Sequence, residues 1–400
     1  MAKQWTNWSG SLKFTPRQIV KPRSEVELQE LVVEVARRGG TLRTAGKGHS
    51  STPIVATDDT LVSLEDFTGV ESVDREACEA WVRAGTSLQE MGDALLESGL
   101  AAHNLGDVNV QHIGGAVGTG THGSGKNLGN LSTMVVGARM VTANGEVIER
   151  NIEEDPDFVR AAQVSLGVLG VFTSLRLKLL PRYKLHRQEW CTSVDACMAH
   201  LDELVEGNRN FDFYWFPRSD EIKLRTLNPP GEAPDLPYAT LQKESVDWAP
   251  NIISRVREIR FEEMEYFLPA EVGPEIFLEV RRRVRAKHRK IVGWRVLYRT
   301  VAADKGMLSP CYERPTVTIA TLQNNTLPYE EYFRDIEPLH QDHGGRPHWG
   351  KKHTMRASRL AGLYPQWESF HRLRRKLDPE GLFMTGYLRE LLDTDEGGHR

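Results

Sequence analysis

The sequence predicts an α+β protein made of more than one compact unit. Its 400 residues exceed what a single hydrophobic core usually organises. Short strand and helix patterns alternate up to Pro181, and beyond this residue aromatic strand-like segments alternate with charged helical ones. The second pattern is typical of an α+β domain with an antiparallel sheet.

The elements before Pro181 form two small β-α-β-like patterns. Ser24 and Glu27 predict a capping box at the first helix, and Asn144-Gly145 is the strongest short hairpin signal in the chain. The predicted elements are a helix over 24–38, strands at 41–45, 61–64 and 79–85, a helix over 86–98, a hairpin within 138–149, a helix near 156–164 and a strand over 168–180.

The elements after Pro181 are fewer and longer. Aromatic strand-like segments alternate with charged helical ones, which fits an antiparallel sheet. The predicted elements are strands at 211–216, 295–301 and 316–323, a charged helix over 274–290 and a helix near 364–376.

Composition narrows the class of protein. Apolar residues make up 40% of the chain and charged residues 26%, the range of soluble globular proteins. The net charge of −4 predicts no general affinity for nucleic acid. The first ten residues lack the apolar core of a secretory signal and no segment suits a membrane span, so the cytosol is the expected compartment. Four scattered cysteines are interpreted as small buried hydrophobes, and no metal site is predicted.

The segment 106–130 is the most informative part of the sequence. Its many glycines alternate with Thr119, Thr121, His122 and Ser124, so backbone N–H groups and hydroxyls can approach a phosphate or pyrophosphate closely. It contains G-x-G-x-x-G, but the residues that follow are turn formers and no helix is predicted there. We therefore reject a Rossmann site and favour a phosphate cradle over a plain surface loop.

A second glycine-rich turn, AGKGHSS at 45–51, follows a predicted strand. Alone it is a weak signal, because glycine and serine after a strand usually form a turn and a single histidine there is usually a surface residue. The presence of two such loops, each after a β-α pattern, strengthens the interpretation of both as parts of one binding site.

These motifs together resemble the vanillyl-alcohol-oxidase superfamily, whose FAD-binding domain is called PCMH-type. AGKGHSS is followed by GTGTHGSG and, near the C-terminus, by HWGK. The resemblance is greatest to the sugar-1,4-lactone oxidase (D-arabinono- or L-gulono-1,4-lactone oxidase) and alditol oxidase group. It extends over VREIRFEEMEYFLPAE (256–271), RTVAAD…LSPCY (299–312) and DPEGLFMTGYL (378–388), and thus over nearly the whole chain.

The resemblance implies a fold and a cofactor. Residues 1–181 would form an FAD-binding domain of two subdomains, residues 182–342 a cap domain over the substrate, and residues 343–400 a segment that returns to the FAD domain. His49 would be bonded covalently to the flavin. The implied cofactor-binding residues are Ala45, Gly46, Lys47, Gly48, His49, Ser50, Ser51, Gly115, Gly118, Thr119, Thr121, His122, Gly123, Ser124, Gly170, Val171 and Lys351.

The resemblance also implies hydride transfer from a CH–OH group of an aldonolactone or alditol to the flavin, with oxygen reduced to hydrogen peroxide. Lys351 would stabilise the reduced flavin and Arg299 would orient the substrate oxygen. His348 is interpreted equally well as a base or as a packed histidine. Two departures bear on the substrate: Leu297 replaces an expected acid, and His112 replaces a serine and is a candidate proton acceptor.

Three alternatives remain open. The basic run at 280–290 suits nucleic acid, although the acids before it favour a solvated helix face. A flavin dehydrogenase would pass electrons to a carrier other than oxygen. A specialised biosynthetic flavin enzyme would act on a larger alcohol or an amine.

Overall fold

The structure, a computed structural model, describes residues 3–254, 256 and 258–394. Its strands form small sheets within the first 181 residues and one eight-stranded antiparallel sheet after them. The predicted α+β class is therefore confirmed. Within the described ranges, no helix is both long and apolar enough to cross a bilayer.

The first unit is a small parallel sheet with one covering helix. Ser24 caps the helix, since its hydroxyl accepts the Glu27 N–H at 3.2 Å. The second bond of the predicted capping box, from the Ser24 N–H to the Glu27 carboxylate, is wrong, because this carboxylate accepts the N–H of Arg23 instead. A complete capping box occurs at the next helix, between Ser87 and Glu90. The elements are β1 (Trp5–Thr6), β2 (Lys13–Phe14), β3 (Gln18–Val20), α1 (Glu25–Arg37), β4 (Leu42–Ala45) and β5 (Thr60–Ser63), with the sheet order β3-β5-β4.

The second unit is a five-stranded antiparallel sheet with the order β10-β9-β11-β7-β6. Its hairpin turns at Asn144-Gly145 as predicted, with Gly145 at φ +82°. The six-residue helix α3 is not predicted by the sequence; it ends at Gly118, and no helix opens after the G-x-G-x-x-G pattern. The elements are β6 (Val70–Asp74), β7 (Glu79–Arg83), α2 (Leu88–Glu97), β8 (Leu100–Ala101), α3 (Ile113–Gly118), β9 (Val135–Val141), β10 (Val147–Asn151), α4 (Pro156–Gln163), β11 (Val171–Lys178) and β12 (Leu180–Pro181).

The large sheet has the order β16-β13-β15-β14-β18-β19-β17-β20, and every neighbouring pair is antiparallel. Its last strand places the start of the HWGK segment at the edge of this sheet, beside β17. The elements are β13 (Lys184–Ser193), α5 (Val194–Ala199), α6 (Leu201–Glu206), β14 (Asn210–Phe216), β15 (Glu221–Asn228), β16 (Thr240–Trp248), α7 (Ala249–Ile253), β17 (Phe261–Pro269), α8 (Gly273–Arg283), β18 (Val296–Val301), β19 (Thr316–Asn324), α9 (Glu330–Asp342) and β20 (Arg346–Pro347).

The basic run at 280–290 lies on α8 and the turn that follows it. Arg281 and Arg285 both contact the carboxylate of Asp220 at 2.6 Å. Such partners favour the solvated, ion-paired helix face over a surface for nucleic acid. The cysteines are free, and only Cys197 and Cys311 are buried; the prediction of burial is wrong for the half-buried Cys78 and Cys191.

The C-terminal segment returns to the first unit. The Ser51 N–H donates to the Gly350 carbonyl at 2.8 Å, and the Thr52 hydroxyl donates to the Trp349 carbonyl at 2.8 Å. These bonds join the HWGK segment to the AGKGHSS loop, which brings together two motifs some 300 residues apart in the chain. The helices of this segment are α10 (Ala357–Leu360), α11 (Trp367–Leu377) and α12 (Gly386–Leu392).

Arg43 on β4 is buried and fixes three chain segments through its guanidinium group. It donates to the carbonyls of Ile54, Leu166, Gly167 and Phe383 at 2.5–2.9 Å. One of these acceptors, Leu166, has φ +54°, a conformation that costs about 1–2 kcal/mol for a side chain of this kind. The guanidinium therefore holds a strained loop in place.

We expect Arg43→Met to lower the free energy of unfolding by about 3–5 kcal/mol, because four buried carbonyls lose their donor. Urea denaturation followed by circular dichroism measures this change. Arg37→Met, at an exposed position on α1, is the control and should stay within about 0.5 kcal/mol of the wild type. Equal stability of the two variants would contradict the role given to Arg43.

Candidate active site

The two glycine-rich loops enclose a first cavity of about 970 Å³. A Cβ added at Gly115 or Gly118 would point into open space, so the backbone of α3 is bare toward the cavity. Gly46 is closer to its neighbour, because an added Cβ would lie 3.2 Å from the Cβ of His112.

A second cavity of about 870 Å³ lies between the first unit and the large sheet. Its walls combine three cations, Arg295, Arg299 and Lys351, with an apolar surface. The apolar side chains are Trp8, Val108, Phe261, Leu297 and Leu322. The two cavities share four lining residues, which are His49, Ser50, Gln111 and Thr119.

His49 stands at this junction. Burial, and then the charge of Lys351, lower the pKa of its imidazole to about 4, so the ring is neutral at physiological pH. Its Nδ1 is buried and has no hydrogen-bond partner. The Nδ1 of His112 is also buried without a partner, and burial, and then Lys47, lower the pKa of His112 to about 4. Both histidines therefore present a neutral imidazole ring to the first cavity.

Lys351 is held by two acids of β17. Its Nζ lies 2.5 Å from the carboxylate of Glu263 and 2.9 Å from that of Glu265. Burial opposes the charge of Lys351, but the two carboxylates outweigh it and raise the pKa of the ammonium group. The lysine is thus a fixed cation in the wall of the second cavity.

The pKa values of the two acids are shifted in opposite directions. Burial, supported by the charge of Glu265, raises the pKa of Glu263 despite the nearby Lys351. Burial also opposes ionisation of Glu265, but Lys351 and His122 overcome it and hold the pKa of Glu265 well below its usual value. Neighbouring carboxyls whose pKa values are pushed apart are a common arrangement for proton transfer, and Glu263 is the one that lines the cavity.

His122, Glu265 and His348 form a buried group with the spacing of a metal site among the described residues. The hydrogen bonds argue against a metal. The Gly350 N–H donates to Nδ1 of His348 at 3.1 Å, so the proton of the neutral ring is on Nε2, where a metal would have to bind. Lys351 also occupies an oxygen of Glu265. The group is better suited to hydrogen bonding and proton exchange.

Arg299 on β18 is held by acids of two units. It pairs with Asp107 of the loop before α3. Arg225 pairs with the same Asp107 at 3.0 Å and with Asp212 at 2.6 Å, and so links the two carboxylates. Burial opposes the charge of Arg299, but Asp107 and Asp212 outweigh it and raise the pKa of the guanidinium group. Leu297, two residues earlier on the same strand, is buried with Tyr214 and contributes its side chain to the cavity wall.

Comparisons with known proteins agree with this arrangement. A family model described as the FAD binding domain matches residues 16–151, and one described as D-arabinono-1,4-lactone oxidase matches residues 175–249 and 236–391. The L-gulono-1,4-lactone dehydrogenase of Mycobacterium tuberculosis is 35% identical, over 98% of this chain and 100% of that protein. The chain belongs to the D-arabinono-1,4-lactone oxidase family. It is therefore an FAD-dependent oxidoreductase.

Other members and neighbours are more distant. The L-gulonolactone oxidase of Mus musculus is 27% identical, over 97% of this chain and 98% of that protein. The crystal structure of cholesterol oxidase from B. sterolicum superposes with a TM-score of 0.86 at 14% identity, over 98% of this chain and 97% of that one. At that identity the likeness concerns the fold alone.

In this member of the D-arabinono-1,4-lactone oxidase family, most of the predicted cofactor residues surround the first cavity. Four of the exceptions, residues 121–124, follow α3, where the chain leaves the first cavity. The residues at the first cavity are Ala45, Gly46, Lys47, Gly48, His49, Ser50, Gly115, Gly118, Thr119 and Gly170.

The other residues predicted to bind the cofactor lie outside the first cavity, and their contact with FAD stays a prediction. Ser51, Thr121, His122 and Lys351 line the second cavity and not the first. Gly123 and Ser124 line neither cavity, and the Ser124 carbonyl accepts the side-chain N–H groups of Asn104 and Asn210. Val171 is buried in β11 and lines neither cavity.

The predicted catalytic residues separate into two groups. Lys351, Arg299 and His348 all line the second cavity, whereas His112 lies in the first, beside Gly46.

Three residues that line the second cavity were not predicted from the sequence, namely Asp107, Glu263 and Trp8. Glu263 and Glu265 stand two apart in a strand, so they share one face of the sheet, and this alternation was the available signal.

Proposed function

We propose that this enzyme oxidises a CH–OH group of a sugar-1,4-lactone, with FAD as the hydride acceptor and oxygen as the final acceptor, reduced to hydrogen peroxide. The observation that carries the proposal is the junction at His49, where a glycine-lined cavity meets a cavity with fixed cations. Relatives that bear the names of L-gulono- and D-arabinono-1,4-lactone enzymes over nearly the whole chain support this substrate class. The cytosol remains the compartment predicted from the sequence.

The residues of the first cavity fit FAD. Bare backbone at Gly115 and Gly118 suits a pyrophosphate, and a neutral imidazole with a free nitrogen suits a covalent bond to the flavin. We propose that His49 forms this bond through Nδ1: a C–N bond would replace a C–H bond of the flavin 8α-methyl group, the imidazole would lose its N–H proton, and the two electrons would pass to the flavin and then to oxygen. We also propose that His112 contacts the cofactor and does not accept the substrate proton. When bound, the flavin supplies the hydride-accepting centre.

The residues of the second cavity would bind and orient the lactone. Lys351 and Arg299 donate to its oxygen atoms and stabilise negative charge that develops during the reaction. His348, with its proton on Nε2, serves as a further donor. Leu297, Leu322 and Phe261 offer an apolar surface to the face of a sugar ring.

We assign the proton of the reacting hydroxyl to the carboxylate of Glu263. This carboxylate lines the cavity, and burial raises its pKa, which makes it a better proton acceptor than an ordinary glutamate. Glu265 has the opposite role, since it stays ionised and keeps Lys351 charged while Glu263 takes up a proton.

We expect Glu263→Gln to lower kcat/KM about 10²–10⁴-fold and to remove the acid limb of its pH profile. A carboxylate accepts a proton only when it is ionised, so the rate falls as the pH drops through the pKa of Glu263. Burial and the charge of Glu265 raise this pKa, and Lys351 lowers it by less. The midpoint of the acid limb should therefore lie above the usual glutamate range.

The control for this experiment is Glu262→Gln, on the opposite face of β17 and outside the cavity lining, where the acid limb should persist. A limb that survives in Glu263→Gln would assign proton transfer to another group.

The function is tested by adding L-gulono-1,4-lactone, D-arabinono-1,4-lactone and an open-chain alditol to the flavin-loaded protein under anaerobic conditions. Bleaching of the visible flavin absorption reports hydride transfer whatever the final acceptor. Bleaching by a lactone supports the proposal, whereas bleaching by the alditol alone would contradict it.

The relative from Mycobacterium tuberculosis, named a dehydrogenase, favours a second candidate in which another carrier replaces oxygen. The rate at which air reoxidises the bleached enzyme, compared with the rate given by an electron-accepting dye, separates the two. Peroxide formed in step with turnover supports oxygen, and slow reoxidation in air together with fast dye reduction supports the carrier.

A further inference from the structure

An N-terminal hairpin over residues 5–14 covers the loop that carries His49. Its two short strands pair at Trp5 with Phe14 and at Thr6 with Lys13. Asn7 organises the turn between them, since its side-chain oxygen accepts the N–H groups of Gly10 and Leu12 at 3.0 Å each. The turn is therefore a defined structure and presents fixed side chains to the loop.

The hairpin is tied to the His49 loop by backbone and side chain. The Trp8 N–H donates to the Gly48 carbonyl at 2.7 Å, and the Asn7 amide donates to the Ser50 carbonyl at 3.1 Å. The residues on both sides of His49 are thus bonded to two consecutive residues of the hairpin. Gly48 has φ +67°, and a Cβ there would come within 2.8 Å of the Trp5 ring.

The ring of Trp8 lies against His49 itself. The two ring centroids are 4.6 Å apart with an interplanar angle of 49°, and the Trp8 ring also meets Phe261 of β17 edge-on at 5.2 Å. The indole therefore occupies the space between the histidine and the large sheet. Trp8 lines the second cavity and Trp5 lines the first, so the hairpin closes both at the junction.

The hairpin also reaches the large sheet by hydrogen bonds. The Asn325 amide donates to the Ser9 carbonyl at 2.7 Å, and Lys352 donates to the Ser11 hydroxyl at 3.4 Å. The same segment is thus anchored to the residues after β19 and to the HWGK region. A support with three anchor points keeps the indole ring in one position.

We propose that Trp8 is the positioning residue for His49 and fixes the imidazole so that the bond to the flavin can form. The inference rests on the covalent attachment proposed above. A nitrogen that must meet a carbon atom in one orientation reacts fast only when its ring is held, and here the indole blocks the side away from the loop. The ring does this without a hydrogen bond to the imidazole, and Nδ1 remains free.

The test compares the share of flavin that stays with the protein after acid precipitation. We expect Trp8→Leu to lower this share about tenfold and Trp8→Phe about twofold, because leucine removes the ring face and phenylalanine shortens it. Trp248→Leu is the matched control: this tryptophan is half-buried at the end of β16, and its cation partners are Arg182 and Lys184. It should match the wild type.

The outcomes are distinct. A wild-type share of bound flavin in Trp8→Leu overturns the inference, as does an equal loss in Trp8→Leu and Trp248→Leu. If Trp8→Leu does not fold, an unchanged share in Trp8→Phe overturns it. Wild-type protein that releases all its flavin overturns the His49 bond and this inference together, while the lactone bleaching assay still tests the proposed function separately.

Discussion

Replacing His49 by alanine should give folded protein from which acid releases all of the flavin. The neutral imidazole at the junction of the two cavities has an Nδ1 without a hydrogen-bond partner, and no other described residue at the first cavity combines such a nitrogen with contact to both cavities. The alanine variant should bind FAD through the remaining cradle alone. The measurement is the flavin absorbance of pellet and supernatant after precipitation with trichloroacetic acid.

The matched control is His112→Ala. His112 lines the same cavity, and its Nδ1 is also without a partner. Burial, followed by the charge of Lys47, lowers the pKa of its ring to about 4. The pKa of His49 is lowered to the same value by burial and then by Lys351. The control should keep its flavin in the pellet. If instead His112→Ala releases the flavin and His49→Ala retains it, the assignment passes to His112. Retention in both variants would exclude either histidine as the sole attachment point.

The glycine-rich loops could be predicted from the sequence because their information is local. A strand followed by Gly-Lys-Gly-His, and a run of glycines and hydroxyls, constrain the backbone within a few residues. The same reasoning predicted the hairpin at Asn144-Gly145 and helix α1. The sequence could not show that Thr121 and His122 line the second cavity, because the direction of the chain after α3 depends on contacts that are distant in the sequence.

The charged part of the site required the tertiary structure. Glu263 and Glu265 alternate along one strand, which is visible in the sequence, but their partner Lys351 is more than 80 residues away. Asp107 is likewise hidden in the glycine-rich segment and pairs with Arg299 of β18. The pairing of acids with cations is therefore visible only when β17, β18 and the HWGK segment are in place in the folded protein.

The loss of the expected acid at Leu297 becomes intelligible in this network. Arg299 obtains its counter-charge from Asp107, so the strand position two residues earlier is free to carry an apolar side chain. Leu297 thus adds an apolar side chain to the lining of the second cavity, between Arg295 and Arg299 in the sequence. A sugar ring, which has apolar C–H groups as well as oxygen atoms, suits such a mixed lining.

Lys351→Met should lower kcat about 10²–10³-fold with little change in flavin content, since one fixed donor toward the developing charge is removed and the first cavity is untouched. Methionine keeps much of the length of the side chain but cannot donate. The measurement is the rate of anaerobic flavin bleaching by saturating lactone in a stopped-flow instrument, because this rate reports hydride transfer and excludes reoxidation.

Lys305→Met is the control. Lys305 is exposed, pairs with Glu313 at 2.6 Å and does not line the second cavity. Its bleaching rate should remain within about twofold of the wild type, as is usual for a residue without contact to the substrate. Equal rates in the two variants would remove Lys351 from the mechanism. A selective loss in Lys351→Met, with acid-stable flavin retained, would instead locate the function of this lysine in the substrate cavity, where Glu263 and Glu265 keep it charged.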